Sequence, residues 1–178
     1  MVEGLDKFKE HFSDFSGSYV IIGDTACDLI IETAGLTPRV TKDIDIILIV
    51  EALNPKIIRH FWTFIKQADY NKRETSARER KYYRFLKPAN TGFPYQIELF
   101  SRKPDVLDLR GEPYLTPIPV DDDLSSLSAI LLNDEYYHFT INHSILEDGL
   151  HRANTEALIC MKAKAFLDIR HEKKKKKK

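Results

Sequence analysis

Two aspartates at the head of an apolar segment are the residues in this sequence best suited to chemistry. Asp43 and Asp45 introduce an apolar run that predicts a strand over 45–50. Side chains two positions apart on a strand point to the same face, with Cα atoms about 6.5–7 Å apart. Two carboxylates held in a poorly solvated place are costly unless a cation compensates them. The spacing favours a divalent-cation site, and the alternative is a solvated pair at a loop edge.

A third carboxylate lies in the middle of another predicted strand, over 95–100. Alternation places Glu98 on the same face as Gln96 and Phe100, and a glutamate in the middle of such a strand is unusual. If this strand lies beside the strand that begins near Asp45, Glu98 completes a carboxylate triad. Three such ligands suit two Mg²⁺ ions about 3.5–4 Å apart, which would hold a nucleoside triphosphate and activate an acceptor hydroxyl.

A strand-to-helix turn upstream offers a place for phosphate. The strand predicted over 19–22 ends at Gly23, and a helix predicted over 25–34 follows at once. Free backbone N–H groups and the positive end of the helix dipole favour an anion at such a turn. Gly23 and Thr25 are therefore candidate phosphate ligands. Asp24 either caps the helix or places a negative charge where phosphate would approach.

Basic residues complete the candidate site. Arg39 and Thr41 lie just before Asp43, in the segment that leads into the strand. Lys162 falls inside the apolar stripe of a helix predicted over 155–169. An inward lysine either extends along its stem to reach water or faces a bound anion.

Together these segments resemble the nucleotidyltransferase superfamily, the fold of polymerase β and the aminoglycoside nucleotidyltransferases. More narrowly, they are similar to the AbiEii-type family of bacterial toxin–antitoxin and phage-defence systems. The residues that carry the resemblance are Gly23-Asp24, the segment 39–45, which reads Arg-Val-Thr-Lys-Asp-Ile-Asp, then Ile97-Glu98, and Lys162 with Ala165. The resemblance implies an α/β (α+β) polymerase-β-like fold, with a small, mixed, mostly antiparallel sheet flanked by helices.

The implied activity is Mg²⁺-dependent transfer of a nucleoside monophosphate from an NTP to an acceptor hydroxyl. The acceptor would be an RNA end, such as that of tRNA, or a partner protein, and a cognate antitoxin would be a further partner. Asp43, Asp45 and Glu98 would bind two Mg²⁺ ions, with Glu98 as third ligand or general base. The nucleotide-binding residues would be Gly23, Asp24, Thr25, Arg39, Thr41 and Lys162.

Three departures from the family pattern keep other functions open. Asp24 occupies a position that is small in the family, Arg170 lies one residue later than the family's spacing, and a final Asp-x-x-Asp helix is absent. One alternative is a catalytically impaired nucleotide-binding or partner-binding module of the same fold. Another is a nucleotidyltransferase that acts on a small molecule, as the aminoglycoside enzymes do.

Length and composition predict a single cytoplasmic domain over 1–178. The chain is 43% hydrophobic and 30% charged, and its two cysteines suggest no disulfide framework. No apolar run approaches the roughly 18 residues that span a bilayer, and the N-terminus lacks the apolar core of a signal peptide. We expect a C-terminal helix over 155–170 to pack on the domain and a disordered or artificial tail over 171–178.

Without the lysine run at 173–178, the rest of the chain has a net negative charge. Basic and acidic residues balance at 27 each, but six of the basic ones belong to this run. The run is a nucleic-acid-binding tail, a solvated end or an artificial extension.

The remaining pattern predicts further helices and hairpins. A first amphipathic helix places Leu5, Phe8, Phe12 and Phe15 on one face, and Asn54-Pro55 begins another helix. Strands over 82–86 and 95–100 form one hairpin, and strands over 125–132 and 135–141 form a second.

Overall fold

The computed structural model describes residues 2–39, 41–52, 54–70, 82–100, 116–117 and 133–175. These residues form one mixed, seven-stranded sheet with helices, in the strand order β5-β3-β4-β2-β1-β7-β6. The strands are β1 (Tyr19–Ile22), β2 (Asp43–Leu48), β3 (Tyr82–Leu86), β4 (Gln96–Phe100), β5 (Thr116–Pro117), β6 (Ser144–Glu147) and β7 (Leu150–Ala153). The expectation of an α+β fold with a mixed sheet is confirmed.

Parallel and antiparallel pairs alternate across the middle of the sheet. The central strand β2 pairs antiparallel with β1 and parallel with β4. β1 in turn pairs parallel with β7. The other three pairs, β3 with β4, β3 with β5 and β6 with β7, are antiparallel, so antiparallel pairing predominates as predicted.

Five helices accompany the sheet in the part of the chain that the structure describes. They are α1 (Leu5–His11), α2 (Gly23–Thr33), α3 (Pro55–Ala68), α4 (Asp134–Asn142) and α5 (Thr155–Lys175), with short 3-10 helices at Ser13–Ser18 and Val50–Ala52. α3 begins as predicted, because Asn54 Oδ1 accepts the Lys56 and Ile57 N–H groups at 2.9 and 3.2 Å. α2 ends at Thr33, and Gly35 lies just beyond its C-cap residue Ala34. The φ of 74° at Gly35 and the hydrogen bond that its N–H donates to the Glu32 carbonyl are typical of a left-handed C-terminal cap.

An aromatic cluster on α1 and α3 packs against the sheet and forms the centre of the core. The ring of Phe8 meets that of Phe64 edge to face at 5.8 Å. Phe61 meets Phe85 of β3 at 5.7 Å. Ile44 and Ile46 of β2 are buried in the same core, on the strand face opposite to Asp43 and Asp45. The apolar half of β2 therefore holds the strand in place while the aspartate half remains available for a site.

One hairpin predicted from the sequence is wrong, and another hairpin was not predicted. Residues 135–141 form helix α4 instead of a strand, and 125–132 lie outside the described residues. β6 and β7 form an unpredicted hairpin through Asp148 and Gly149, both with positive φ. α5 runs on through Lys175, so it includes most of the residues expected to form a tail. In the parts of the chain that the structure describes, no helix is long and apolar enough to cross a membrane.

Candidate active site

The parallel pairing of β2 with β4 brings the predicted carboxylates to neighbouring positions. Asp45 is the direct partner of Glu98, and Asp43 is the direct partner of Gln96. Directly paired residues point to the same face of a sheet, and adjacent strands lie about 4.8 Å apart. Asp43, Asp45 and Glu98 therefore share one face, and we refer to them as the carboxylate cluster.

Burial and mutual repulsion raise the pKa of all three carboxyl groups in this cluster. Burial raises the pKa of Asp45 to about 8, and the nearby charges of Glu98, Asp43 and Asp24 contribute to the rise. Burial is also the main cause that raises the pKa of Asp43 and of Glu98. Asp43 and Asp45 nevertheless keep part of their surface exposed, so that a cation has access to them. A partly desolvated group of like charges is stabilised by any cation that binds to it.

Glu98 already has a cationic partner, which the sequence did not reveal. The Nε and Nη2 atoms of Arg84 each lie 2.7 Å from Glu98 Oε1. Gln96 Nε2 donates to the same oxygen at 2.8 Å. The side chains of Arg84 and Glu98 are only 17% and 7% exposed, so this ion pair is shielded from water. The predicted hairpin could have revealed this ion pair, since the register of β3 and β4 places Arg84 opposite Glu98.

Gly23 allows helix α2 to begin directly against Asp45. Its φ is 66°, in the left-handed region that glycine adopts without strain. A Cβ atom at this position would overlap Asp45 Oδ2 and lie 3.0 Å from Asp45 Cγ. The turn that the sequence assigned to phosphate binding therefore also makes room for a member of the carboxylate cluster.

The two threonines of the predicted site have local structural roles. The buried Thr25 hydroxyl donates a hydrogen bond to the backbone oxygen of Asp43, which ties α2 to the start of β2. This hydroxyl is therefore directed at the backbone, and only the Thr25 N–H group remains suited to an anion. The backbone of Thr41 hydrogen-bonds the carboxylate of Asp28 on α2, so Thr41 also lies beside this helix.

Asp24 brings together the two basic residues predicted to bind triphosphate. Arg39 Nη2 lies 2.7 Å from Asp24 Oδ2, and Lys162 Nζ lies 3.0 Å from Asp24 Oδ1. The hydrogen bond from Lys162 is the main reason that the pKa of Asp24 lies below its ordinary value, and Arg39 adds to the effect. We call these three residues the Asp24 bridge.

The helix-cap interpretation of Asp24 is wrong. α2 begins at Gly23 with Ile22 as its N-cap residue, and no side chain caps it. Asp24 is therefore inside the first turn, where a negative charge interacts favourably with the helix dipole. Lys162 is more exposed than its place in an apolar stripe suggested, at 57% of its side chain, because it reaches across from α5 to Asp24.

No family model matches this sequence, and no curated protein matches it. The functional assignment therefore depends on the geometry of the site.

The carboxylate cluster suits Mg²⁺ through two of its three members. Among the described residues, no three His, Cys, Asp or Glu side chains are grouped as a ready-made metal site. The Oε1 atom of Glu98 already accepts bonds from Arg84 and Gln96, which makes Asp43 and Asp45 the stronger candidate ligands. Carboxylate oxygens are the ligands that Mg²⁺ prefers, and it is commonly bound by one or two of them together with substrate phosphates.

Proposed function

We propose that this chain is a nucleotidyltransferase, which binds an NTP with Mg²⁺ and transfers a nucleoside monophosphate to an acceptor hydroxyl. The observation that supports this most is the direct pairing of Asp45 with Glu98, with Asp43 on the same face. The start of α2 lies beside this cluster, and Asp24, the second residue of α2, holds the two cations of the Asp24 bridge. A nucleotidyltransferase site needs carboxylates that bind the metal ion and cations that bind the phosphates.

Each residue of the site has a role in this proposal. Asp43 and Asp45 would hold Mg²⁺, which supplies charge stabilisation for the phosphates and lowers the pKa of a bound hydroxyl. The N–H groups at the start of α2, from Gly23 to Thr25, would donate to phosphate oxygens. Arg39 and Lys162 would offset the triphosphate charge once they separate from Asp24.

The transfer itself would require little covalent chemistry from the protein. A bond forms between the acceptor oxygen and the α-phosphorus as the bond to the bridging oxygen of the β-phosphate breaks. Pyrophosphate leaves, and a carboxylate of the cluster accepts the proton of the hydroxyl. The main contribution of the protein is to position the two reactants and to stabilise the developing charge.

The finer assignments belong to the same proposal. They are a polymerase-β-like fold, membership of the AbiEii-type family, an RNA or protein acceptor, a toxin–antitoxin role and a cytoplasmic location. What supports them is that the separate motifs of the resemblance meet in space. The segment 39–45 leads into β2, Glu98 pairs with Asp45, and Lys162 reaches α2 from α5.

A second function, a binding module that does not turn over, is favoured by the Asp24 bridge. Both candidate triphosphate-binding cations already hold a carboxylate. A ligand phosphate must displace that carboxylate, which lowers its net affinity. If Arg39 and Lys162 stay paired with Asp24 when a nucleotide binds, the site holds the nucleotide without the cations that transfer requires.

Thermal unfolding with NTP and Mg²⁺ tests whether the site binds nucleotide. A ligand at 100 times its Kd stabilises the folded protein by about 2.7 kcal/mol, so we expect a clear rise in Tm with at least one of the four NTPs. Asp45→Asn should remove most of this rise, because it deletes a metal ligand. Asp14→Asn, which removes an exposed carboxylate from the Ser13–Ser18 helix, is the matched control. No rise in Tm with any NTP at millimolar concentration would contradict both functions.

Incubation with α-³²P-labelled NTPs separates the enzyme from the binding module. We expect Mg²⁺-dependent transfer of label to an RNA or a protein acceptor, and loss of transfer in Asp45→Asn. Nucleotide binding without transfer to any RNA, protein or small-molecule acceptor would support the second function instead.

A further inference from the structure

The position of Arg84 limits what the carboxylate cluster can bind. Arg84 lies on β3, directly opposite Glu98 on β4, and Asp45 lies opposite Glu98 on the other side. The three residues therefore form one row across three adjacent strands, with the guanidinium group and two carboxylates on the same face.

Arg84 acts on the whole cluster as its internal cation. Its charge interacts favourably with the ionised carboxylates of Asp43, Asp45 and Glu98. A guanidinium group carries a delocalised positive charge and presents several N–H donors in a fixed fork. Since only 17% of the Arg84 side chain is exposed, solvent screens this charge poorly.

Two Arg84 donors and Gln96 all converge on Glu98 Oε1. A second metal ion bridging Glu98 and Asp45 would have to approach a carboxylate that already accepts these bonds. It would also stand beside the guanidinium group, whose charge repels it. Without a nucleotide, one divalent ion at Asp43 and Asp45 together with Arg84 balances three ionised carboxylates, whereas two divalent ions with Arg84 exceed them.

We propose that Arg84 takes the place of a second divalent cation, so that the site binds one ion, held by Asp43 and Asp45. Arg84 is then a positioning residue, which fixes Glu98 and supplies charge that metal supplies elsewhere. This inference depends on the proposed function, since it assumes that the cluster binds metal. It differs from the expectation of two Mg²⁺ ions drawn from the family resemblance.

Electron paramagnetic resonance of bound Mn²⁺ counts the ions directly. Two Mn²⁺ ions about 3.5–4 Å apart are magnetically coupled, whereas a lone ion gives an uncoupled six-line spectrum. The measurement uses the full chain with Mn²⁺ and an NTP analogue that has a methylene group between the α- and β-phosphates. The analogue carries the base that gives the largest thermal shift. We expect one uncoupled ion per chain in the wild type.

Variants at Arg84 show whether this residue is the cause. Arg84→Met removes the charge at similar length and should admit a second ion, which gives a coupled spectrum and two Mn²⁺ per chain. Arg84→Lys retains a positive charge and should stay uncoupled. Arg84→Met/Glu98→Gln should return to one ion, because the second ion loses its ligand. Circular dichroism verifies that each variant is folded.

The outcomes separate this inference from the proposed function. A coupled spectrum in the wild type overturns the single-ion site and leaves the nucleotidyltransferase proposal in place. An uncoupled spectrum in both the wild type and folded Arg84→Met overturns the role of Arg84. Absence of bound Mn²⁺ in the wild type overturns the proposed function and this inference together. If Arg84→Met does not fold, the wild-type spectrum and Arg84→Lys still decide the number of ions.

Discussion

At the scale of single residues, the sign of the charge at position 24 governs the affinity of the site for anions. Asp24 holds Arg39 and Lys162 at 2.7 and 3.0 Å, the two cations that would contact phosphate in the proposed function. Because the pKa of Asp24 lies below its ordinary value, the carboxylate is ionised at neutral pH and competes fully with a ligand phosphate. Both cations are more than half exposed, so water weakens these pairs.

Asp24→Asn should therefore strengthen NTP binding. Removal of one exposed competing charge is worth about 1 kcal/mol, which corresponds to about a fivefold decrease in Kd. The same change removes a favourable charge from the first turn of α2 and should lower the free energy of unfolding by about 0.3–1 kcal/mol. Calorimetric titration and urea unfolding at one ionic strength measure the two effects, which have opposite directions. Asp24→Gly, which removes the side chain entirely, should change NTP binding in the same direction.

Asp28→Asn is the matched control, because it deletes a carboxylate one turn further along α2. Asp28 hydrogen-bonds the backbone of Thr41 and lies outside the Asp24 bridge, so NTP affinity should change less. Weaker binding by Asp24→Asn would mean that Asp24 is a working part of the site.

At the scale of elements, the junction of β1 and α2 sets the position of the carboxylate cluster. Gly23 directly follows β1 and begins the helix with a positive φ, and its backbone lies against the Asp45 carboxylate. Thr25 fastens the same helix to the backbone of Asp43. One turn of chain thus fixes both aspartates relative to the N–H groups of α2.

A series of glycine substitutions separates the strain at this junction from the overlap with Asp45. Gly23→Ala combines a positive φ with the overlap, and it should lower the free energy of unfolding by more than about 2 kcal/mol. Gly35→Ala has a φ of 74° but nothing within 4 Å, so it should cost only about 1–2 kcal/mol. Gly17→Ala has neither feature and should be within about 1 kcal/mol of the wild type. Urea unfolding gives the order, and equal losses at Gly23 and Gly35 would show that Asp45 moves aside freely.

Local patterns in the sequence predicted most elements near the site, because each pattern has a local physical cause. Alternation placed Asp43 and Asp45 on one face of β2, and the Asn54 cap marked the start of α3. The pairing of Asp45 with Glu98 joins residues more than 50 positions apart. The sequence alone therefore predicted the carboxylate triad only if the two strands were neighbours. The ion pair of Arg84 with Glu98 was not predicted for a related reason, since it depends on the register of the β3–β4 hairpin.

The errors also have physical causes. Residues 135–141 are rich in aromatic and β-branched side chains, which favour strands. The cap at Asn133, whose Oδ1 accepts the N–H groups of Glu135 and Tyr136, makes this segment a helix. The β6–β7 hairpin lacks clear alternation, but its Asp148-Gly149 pair is typical of a tight hairpin turn and could have revealed it.

At the scale of the whole molecule, buried titratable groups make stability depend on pH in opposing ways. Burial lowers the pKa of His11 and His151, so these residues favour folding more as the pH rises through their ordinary values. Burial raises the pKa of Asp45 to about 8, well above the unfolded value of about 3.9. Between those two values the folded protein binds more protons at Asp45 than the unfolded chain does. The contribution of Asp45 to the free energy of unfolding therefore falls as the pH rises.

A comparison of the wild type with Asp45→Asn isolates this contribution, because both proteins contain the same histidines. Below about pH 4 the wild-type carboxyl group is protonated in both the folded and the unfolded state and resembles the amide, so the two proteins should have similar free energies of unfolding. As the pH rises to about 8, the wild type should lose stability relative to Asp45→Asn, by at most about 1.4 kcal/mol per pH unit. Mg²⁺ should reverse this loss in the wild type alone, since a bound cation favours the ionised carboxylate. Urea unfolding at half-unit pH intervals, with and without Mg²⁺, gives the free energy of unfolding of both proteins as a function of pH.

Asp14→Asn is the surface control, and its free energy of unfolding should differ from that of the wild type by the same amount at every pH. If the difference between the wild type and Asp45→Asn is also independent of pH, Asp45 ionises as freely in the folded protein as in the unfolded chain. The carboxylate cluster then has no need of a cation.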